Sequence, residues 1–406
     1  MRRSLRLPIV LVAAFVVAEA GVLVLRPEVA PSPPPVDPQS YFSSDHLRVA
    51  EDYRESRLEL YGLRMVVEVG VLAVLAARPP RLLSRAGGRP LLLAAGAGAG
   101  ISLLLGAVSL PVRIAARERA KDVGLVTQDW IGYAGDVART ELIGALTAAA
   151  GAALLILALR RLGRRWWMAG AGVIVAYGIA LTYLAPVVLE PLFNDFEPLP
   201  RGPLRADVLA LAERAGVEVG EVYAVDASRR TTAANAYVAG LGATKRVVLY
   251  DTLLRDFEPD EVRLIVAHEL GHVRHRDLPN GLLYLAIVAP AGVLAAAALA
   301  EAFAGRRGLE PGPRAVPAVA LAAVLVATPL TMVSNQLSRA VERRADAYSL
   351  ELTGDSASLI AMQRRLSVSN VSDPAPPRWV TFLLSTHPPA LERIARAEAA
   401  RAAARR

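Results

Sequence analysis

The stretch AHELGHVRHRD, residues 267–277, decides how the rest of the chain is interpreted, because it holds three of the five histidines in 406 residues. It belongs to a longer helical pattern. Pro259, followed by two acidic residues, is typical of a helix N-terminus, where a proline and negative charge are both favourable. The pattern predicts one helix from Pro259 to about Asp277, which Pro279 would end.

On that helix His268 and His272 project from one face because they are four residues apart. Both imidazoles could bind one metal ion at about 2.0 to 2.1 Å. Glu269 lies beside them, where a base could take a proton from a metal-activated water, and the spacing is the HExxH pattern of zinc peptidases. The alternative is a polar helix face that is rich in imidazole by chance, for which composition gives an expectation of roughly 0.003 matches.

A catalytic zinc site needs a third protein ligand and an open fourth position. His275 is two helical turns, or about 10 Å, from His268, so we expect it to be solvated or to support a ligand. The chain has no cysteine, so a carboxylate is expected. Glu342 and Asp346 lie four residues apart on a predicted helix, so that one could bind the metal and the other could support an imidazole. The alternative for Glu342 is a surface ion pair with Arg339 or with another nearby arginine.

The composition indicates a membrane protein, with 54% hydrophobic residues and a mean hydropathy of +0.36. Crossing a bilayer takes about 20 apolar residues. Seven stretches qualify or nearly do, at residues 7–25, 63–77, 90–110, 142–159, 166–189, 281–304 and 315–333. The second is short and charged, so a buried or re-entrant helix is the alternative. The first could instead be a cleaved signal peptide, because MRRSLR precedes it and Ala18-Glu19-Ala20 resembles a cleavage site.

Residues 190–280 form the longest stretch without a predicted span and have an α/β pattern. The pattern predicts an amphipathic helix at 203–215 and strands at 222–225, 237–242 and 246–250. Two spans separate His272 from Glu342, so the chain would return Glu342 to the side of the membrane that carries the HExxH helix.

We therefore expect two regions. An N-terminal membrane region at 1–189 would have about five spans and a proline-rich loop, APSPPPVDPQ, after the first. A peptidase domain at 190–406 would comprise the α/β unit with its HExxH helix at 190–280, two spans at 281–334, and the third-ligand helix and C-terminal helices at 335–406.

The formal charge of +8 comes with arginine clusters next to the predicted spans. That placement is typical of membrane orientation rather than of nucleic-acid binding. The absence of cysteine excludes thiol catalysis, cysteine-ligated zinc and disulfides. Arginines in the N-terminal tail and in the second-to-third and fourth-to-fifth loops predict that these segments face inward, which with seven spans would leave the catalytic unit outside.

Taken together, these residues resemble the type I CAAX prenyl protease family of multi-spanning membrane zinc endopeptidases. The resemblance covers residues 124–397 and rests on motifs in this order: PLFNDFEPLP at 191–200, SRRTTAANAYVAGLGATKRVVLYDTLL at 228–254, HELGH at 268–272, SRAVERRAD at 338–346 and STHPPALER at 385–393. It implies that His268, His272 and Glu342 bind one Zn²⁺ per chain and that Glu269 is the catalytic base.

The resemblance also implies accessory active-site residues. His387 would be a second catalytic residue, able to stabilise an oxyanion. Asn235, Ala236 and Tyr237 would belong to an edge strand that binds an extended peptide, with Arg393 as a further substrate-binding residue. Without the resemblance, His387 is equally a loop histidine and Asn235 a turn asparagine.

We expect a mainly α, multi-spanning helical membrane protein with an inserted α/β zinc metallopeptidase unit. Its partners would be the lipid bilayer and a peptide or protein substrate, membrane-associated or of CAAX type, and no nucleic acid. The family implies a catalytic face towards the cytoplasm, in a bacterial plasma membrane; the oligomeric state stays open.

Asp277, expected with Asp346 to support the ligands, is closer to stress-response membrane metallopeptidases, so membrane-protein quality control is an alternative role. Rivals of another class are a transporter or scaffold with a structural zinc site, which would need a fourth ligand and no Glu269, and an inactive homologue that only binds peptides.

Overall fold

The computed structural model describes residues 6–84, 89–240, 245–305 and 308–405. Helices dominate this part of the chain. They are α1 (Arg6–Leu25), α2 (Ser44–Ala77), α3 (Pro90–Asp122), α4 (Trp130–Leu162), α5 (Trp166–Leu184), α6 (Pro203–Arg214), α7 (Asp251–Asp256), α8 (Pro259–Arg274), α9 (Asp277–Ala304), α10 (Ala315–Thr353), α11 (Ser356–Ser369), α12 (Arg378–Leu383) and α13 (Ala390–Ala404). The strands are β1 (Phe196–Pro198), β2 (Glu221–Val225), β3 (Ala236–Ala239) and β4 (Arg246–Tyr250).

Six continuous helical stretches among the described residues are long and apolar enough to cross a membrane. The fourth, Trp130–Leu192, contains both α4 and α5, which are joined by one turn at Gly163–Arg165. The expectation of about seven spans therefore agrees approximately with the structure. The apolar second stretch is the end of the 34-residue α2, and only 6% of its apolar window is buried. A buried helix is therefore the wrong reading of that stretch.

The first helix packs inside the membrane bundle. Ala14, Ala18 and Val22 of α1 are buried against α9 and α10. Gln336 on α10 donates from Nε2 to Glu19 Oε1 at 2.8 Å, which fixes the height of one helix relative to the other. Since α1 and α10 both run towards the α/β unit, this bond sets where each of them leaves the membrane.

The predicted α/β unit contains a four-stranded sheet in the order β1-β2-β4-β3. The β2–β4 pair is parallel and the two outer pairs are antiparallel. Strands β2 and β4 lie where the sequence predicts them, whereas β1 was not predicted; its Pro198 lies on an edge strand, where a missing N–H is tolerated. The strand predicted at 237–242 ends at Ala239, and residues 241–244 lie outside the described residues.

The helix predicted from Pro259 to about Asp277 ends three residues earlier, at Arg274. After this helix, α8, Arg276 adopts a left-handed conformation with φ 56°. Then α9 begins at Asp277, with Pro279 in its first turn rather than beyond a helix end, because a first turn does not need the missing N–H. The break turns the chain back, so that Asp277 lies close to α8.

The predicted membrane span at 315–333 and the third-ligand helix form one continuous helix. The 39-residue α10 has no break between them. It ends at Gly354, whose φ of 69° favours glycine and whose N–H donates to Leu350 O at 2.7 Å. A single rigid element therefore joins the membrane core to Glu342.

Candidate active site

The helix that carries HELGH is fixed from its start and along its apolar face. The N–H of Glu258 donates to Glu261 Oε2 at 3.0 Å, so an otherwise unpaired N–H of the first turn is satisfied. Val262, Val266 and Leu270 are fully or almost fully buried in the core that also contains the sheet. Burial of that face leaves the histidines directed towards α10.

Three side chains from α8 and α10 converge. His268 Nε2 lies 3.2 Å from His272 Nε2 and 3.2 Å from Glu342 Oε2, and His272 Nε2 lies 3.6 Å from Glu342 Oε1. Ligands at 2.0–2.1 Å from a tetrahedral zinc ion would lie about 3.3 Å from one another. The spacing of these atoms therefore fits one zinc ion.

Glu342 is buried, with 7% of its surface exposed. Its Oε2 has no hydrogen-bond donor of acceptable geometry among the described residues, which is unusual for a buried carboxylate oxygen and is explained if that atom binds a cation. The alternative of a surface ion pair with Arg339 is wrong, because Arg339 donates from Nη1 to Ser385 O at 2.6 Å instead.

Each histidine of the pair faces a second carboxylate through its other nitrogen. His272 Nδ1 lies 2.9 Å from Asp277 Oδ2, and His268 Nδ1 lies 3.0 Å from Asp346 Oδ1. A carboxylate at Nδ1 holds the imidazole orientation and leaves Nε2 for a metal. Asp346 in turn accepts from Arg393 Nε at 2.8 Å.

Electrostatics at His268 favour positive charge. Burial by itself lowers the pKa of His268, but the carboxylates of Asp346 and Glu342 outweigh it and raise the pKa to about 10. A site that stabilises positive charge so strongly at this atom suits a bound cation as well as a proton.

Glu269 stands beside the converging atoms rather than among them. It offers an oxygen within 4.8 Å of the ligand atoms of both histidines. Within the described residues none of its oxygens comes within 4.0 Å of an imidazole nitrogen, in contrast to Glu342. Burial raises the pKa of the Glu269 carboxyl, which brings a carboxylate closer to the range useful for general base catalysis.

His387 reaches the same cluster from the C-terminal loop. Its Nε2 lies 3.4 Å from Glu342 Oε1, while 60% of its side chain is exposed. The loop is held by two buried residues of α10, because Asn335 Nδ2 donates to Leu383 O at 2.8 Å and Arg339 Nη1 donates to Ser385 O. The sequence analysis did not predict that Asn335 and Arg339 hold this loop. Their spacing could have indicated it, because polar residues seven and three positions before Glu342 share its helix face.

The predicted substrate strand lies at the edge of the sheet. Strand β3 pairs with β4 and, among the described residues, with no other strand on its outer side. Asn235 is exposed at the start of β3, and Ala236 is buried. Tyr237 OH donates to Glu190 Oε2 at 2.6 Å, and burial raises the pKa of Tyr237. Strand β3 packs on α8, the helix that carries the histidines.

Two other residues singled out in the sequence lie outside the converging set. Arg393 is buried and donates to Asp346, and its role in binding substrate stays a prediction. His275 Nδ1 contacts Gly271 O at 2.9 Å and its ring packs on Tyr348, outside the converging set.

Comparisons with known proteins agree with this geometry. The pattern described as peptidase family M48 matches residues 198–401. An uncharacterized metalloprotease, YhfN, from Bacillus subtilis is 29% identical over 386 residues, which cover 89% of this chain and 88% of that protein. A CAAX prenyl protease 1 homologue from Oryza sativa is 31% identical over 56% of this chain and 54% of its own length.

A solved structure shares the fold. Ste24p of S. mikatae superposes with a TM-score of 0.76 at 18% identity, over 98% of this chain and 99% of that one. The predicted family resemblance, the multi-spanning α fold and the metallopeptidase class are therefore confirmed. The chain belongs to peptidase family M48 and is a multi-pass membrane metalloendopeptidase.

Proposed function

We propose that this peptidase binds one Zn²⁺ through His268, His272 and Glu342 and hydrolyses peptide bonds with Glu269 as its general base. Peptidases of family M48 are zinc-dependent in general. The observation that carries the ligand assignment is the 3.2–3.6 Å spacing between the two Nε2 atoms and the Glu342 carboxylate oxygens. Metal analysis of the purified chain tests it, with one zinc per chain expected.

When bound, zinc would polarise the scissile carbonyl and lower the pKa of a water molecule. Glu269 would take the proton of that water and later deliver it to the leaving amine, for which its raised pKa is suited. His387, 3.4 Å from Glu342, would donate an N–H to the oxygen of the scissile carbonyl as negative charge develops there.

The substrate would extend β3 as an added strand. The N–H and C=O of Ala236 face the free edge, because Asn235 and Tyr237 on either side direct theirs to β4, and they can pair with a peptide of any sequence. Asn235 precedes Ala236 and would hold a substrate carbonyl near the metal. Its own carbonyl accepts from Tyr250 N at 3.1 Å, which fixes the backbone on the β4 side. Arg393, predicted to bind substrate, donates to Asp346 and would act on the site through that carboxylate.

Height in the membrane supports a membrane-associated substrate. Glu19 and Gln336 are bonded, and Leu25 and Glu342 each lie six residues further along their helices, about 9 Å at the helical rise. Glu342 is therefore about level with the end of the first span. A scissile bond close to the bilayer surface suits lipidated proteins of CAAX type, as the names of relatives indicate, and equally membrane proteins awaiting quality control.

The experiment is a survey of new N-termini released in membranes by the wild-type chain and by Glu269→Gln, combined with metal analysis. Cleavage products near lipidated C-termini would support CAAX-type processing, and products within loops of membrane proteins would support quality control. A transporter or scaffold with a structural zinc site would give bound metal but no difference between the two surveys.

We propose a bacterial plasma membrane, in keeping with the Bacillus relative, with the catalytic face towards the cytoplasm. The test uses the lack of cysteine, since a single cysteine introduced at exposed Ser372 or at exposed Arg160 reports its side by reaction with an impermeant maleimide. Labelling of intact cells at Arg160→Cys alone agrees with the proposal. Labelling at Ser372→Cys alone would reverse the orientation, as the arginine distribution predicts.

A further inference from the structure

A cleft of about 1480 Å³ lies between the end of α1, the segment after it, α10 and α12. The side chains that line it carry a net positive charge. Five arginines and two glutamates give it a formal net charge of +3, the arginines being residues 26, 339, 343, 378 and 396. The catalytic cluster lies outside this lining, although Arg339 and Arg343 flank Glu342 on α10.

The arginines of the cleft differ in whether their guanidinium groups have a partner within the protein. Arg343 and Arg396 both pair with Glu392, and Arg339 donates to Ser385 O. Arg26 and Arg378 are exposed, and the described part of the chain offers neither guanidinium group a hydrogen bond or a carboxylate within 4.0 Å. Two guanidinium groups at the cleft are thus available to an external anion.

The cleft lies where the bilayer surface should be. The first span ends at Leu25, immediately before Arg26. The neighbouring Leu23 and Val24 are 64% and 77% exposed, as expected of lipid-facing side chains. On the other wall Trp379 and Phe382 of α12 are 56% and 54% exposed, and such aromatic side chains are favourable at the membrane–water interface.

We propose that this cleft binds the headgroup of an anionic phospholipid. The phosphate would accept hydrogen bonds from Arg26 and Arg378, and the acyl chains would follow the exposed apolar face of α1 at Leu23 and Val24. A headgroup next to both apolar and basic side chains explains why exposed hydrocarbon, interfacial aromatics and unpaired arginines occur at one place. A soluble anion would use only the arginines.

The bound lipid would also act on the active-site loop. The centre of the Phe382 ring lies 6.0 Å from the guanidinium carbon of Arg339. Arg339 in turn donates a hydrogen bond to Ser385 O, two residues before His387. A headgroup on α12 would therefore restrain the loop that carries His387. The consequence for catalysis rests on the proposed function, whereas binding of the lipid does not.

Binding is tested on the full-length chain in detergent by native mass spectrometry with short-chain phosphatidylglycerol and phosphatidylcholine. One phosphatidylglycerol per chain is expected in preference to phosphatidylcholine. The double variant Arg26→Ala/Arg378→Ala should bind phosphatidylglycerol about 30-fold more weakly, since each basic side chain near an anionic lipid contributes about fivefold. Unchanged zinc content would show that the variant is folded.

The matched control is Arg160→Ala/Arg161→Ala, which removes the same charge from exposed positions at the other end of the bundle. It should bind as the wild type does. Equal weakening in both double variants, or equal binding of phosphatidylcholine, would overturn the proposal. Full competition by inorganic phosphate at the same concentration would make the cleft a free-anion site and would overturn it too.

The catalytic consequence is tested in lipid nanodiscs with an unlipidated peptide substrate. Added phosphatidylglycerol should raise kcat of the wild type and of the control, but not of Arg26→Ala/Arg378→Ala. If the double variant instead raises KM for a peptide with a free C-terminal carboxylate but not for its amide, the cleft binds the substrate terminus and the lipid proposal is wrong. If the wild type showed no peptidase activity, the proposed function would fail, but the result on lipid binding would still hold.

Discussion

His387 Nε2 lies 3.4 Å from Glu342 Oε1, so the C-terminal loop touches the membrane helix that supplies the proposed third ligand. We expect His387→Ala to keep its zinc and its peptide affinity but to lose about 100-fold in kcat, the usual effect of removing one oxyanion donor. Steady-state kinetics and metal analysis on one preparation decide this. Normal kcat would make His387 a loop histidine, and loss of zinc would make it a ligand.

Arg339 should act through that loop. Arg339→Ala removes the donor to Ser385 O, so His387 would be misplaced and kcat would fall, with less effect on KM. The double variant Arg339→Ala/His387→Ala should be no slower than His387→Ala alone, because the two residues serve one interaction. Additive losses in this double-mutant cycle would mean that Arg339 acts elsewhere, for instance on overall stability.

Glu269 is proposed as a base and not as a ligand. Glu269→Gln should therefore abolish peptidase activity while one zinc stays bound per chain. Asp260→Asn is a matched control, since Asp260 is an exposed carboxylate on the same helix and should leave activity near that of the wild type. Activity of Glu269→Gln close to wild type would sink the mechanism.

Glu342 and Asp346 should affect zinc to different degrees. Glu342→Ala removes a ligand and should lower both zinc occupancy and rate. Asp346→Asn weakens the support of His268 Nδ1 and should reduce zinc affinity by about 10- to 100-fold, as changes next to metal ligands do. Competition with a chelator measures both variants. Full zinc affinity in Glu342→Ala would require another third ligand.

The free edge of β3 predicts how a substrate is held. Methylation of a peptide amide nitrogen removes one donor, so every second N-methyl position along the bound segment should raise KM, by about fivefold for each hydrogen bond lost. The intervening positions should behave as the unmodified peptide does, because their amides point away from β3. A rise in KM that is the same at every methylated position would argue against strand addition.

The sequence predicted most of what local patterning controls. The four-residue spacing of His268 and His272 placed both on one helix face, and the apolar runs predicted the membrane helices. The end of α8 was missed because left-handed Arg276 has no signal in composition. The hydrogen bond from Asn335 to Leu383 O was missed because it joins segments distant in sequence, and only tertiary packing brings them together.

Because α10 is one uninterrupted 39-residue helix, the proposed third ligand cannot be separated from the lipid-embedded half of the molecule. A soluble fragment made of residues 190–280 would retain HELGH and the sheet yet lack Glu342 and the loop that carries His387. Attempts to excise a catalytic fragment, as is common for enzymes tethered by a single anchor, should therefore yield inactive material. The membrane-spanning part of α10 therefore supports the active site itself and does more than anchor the enzyme.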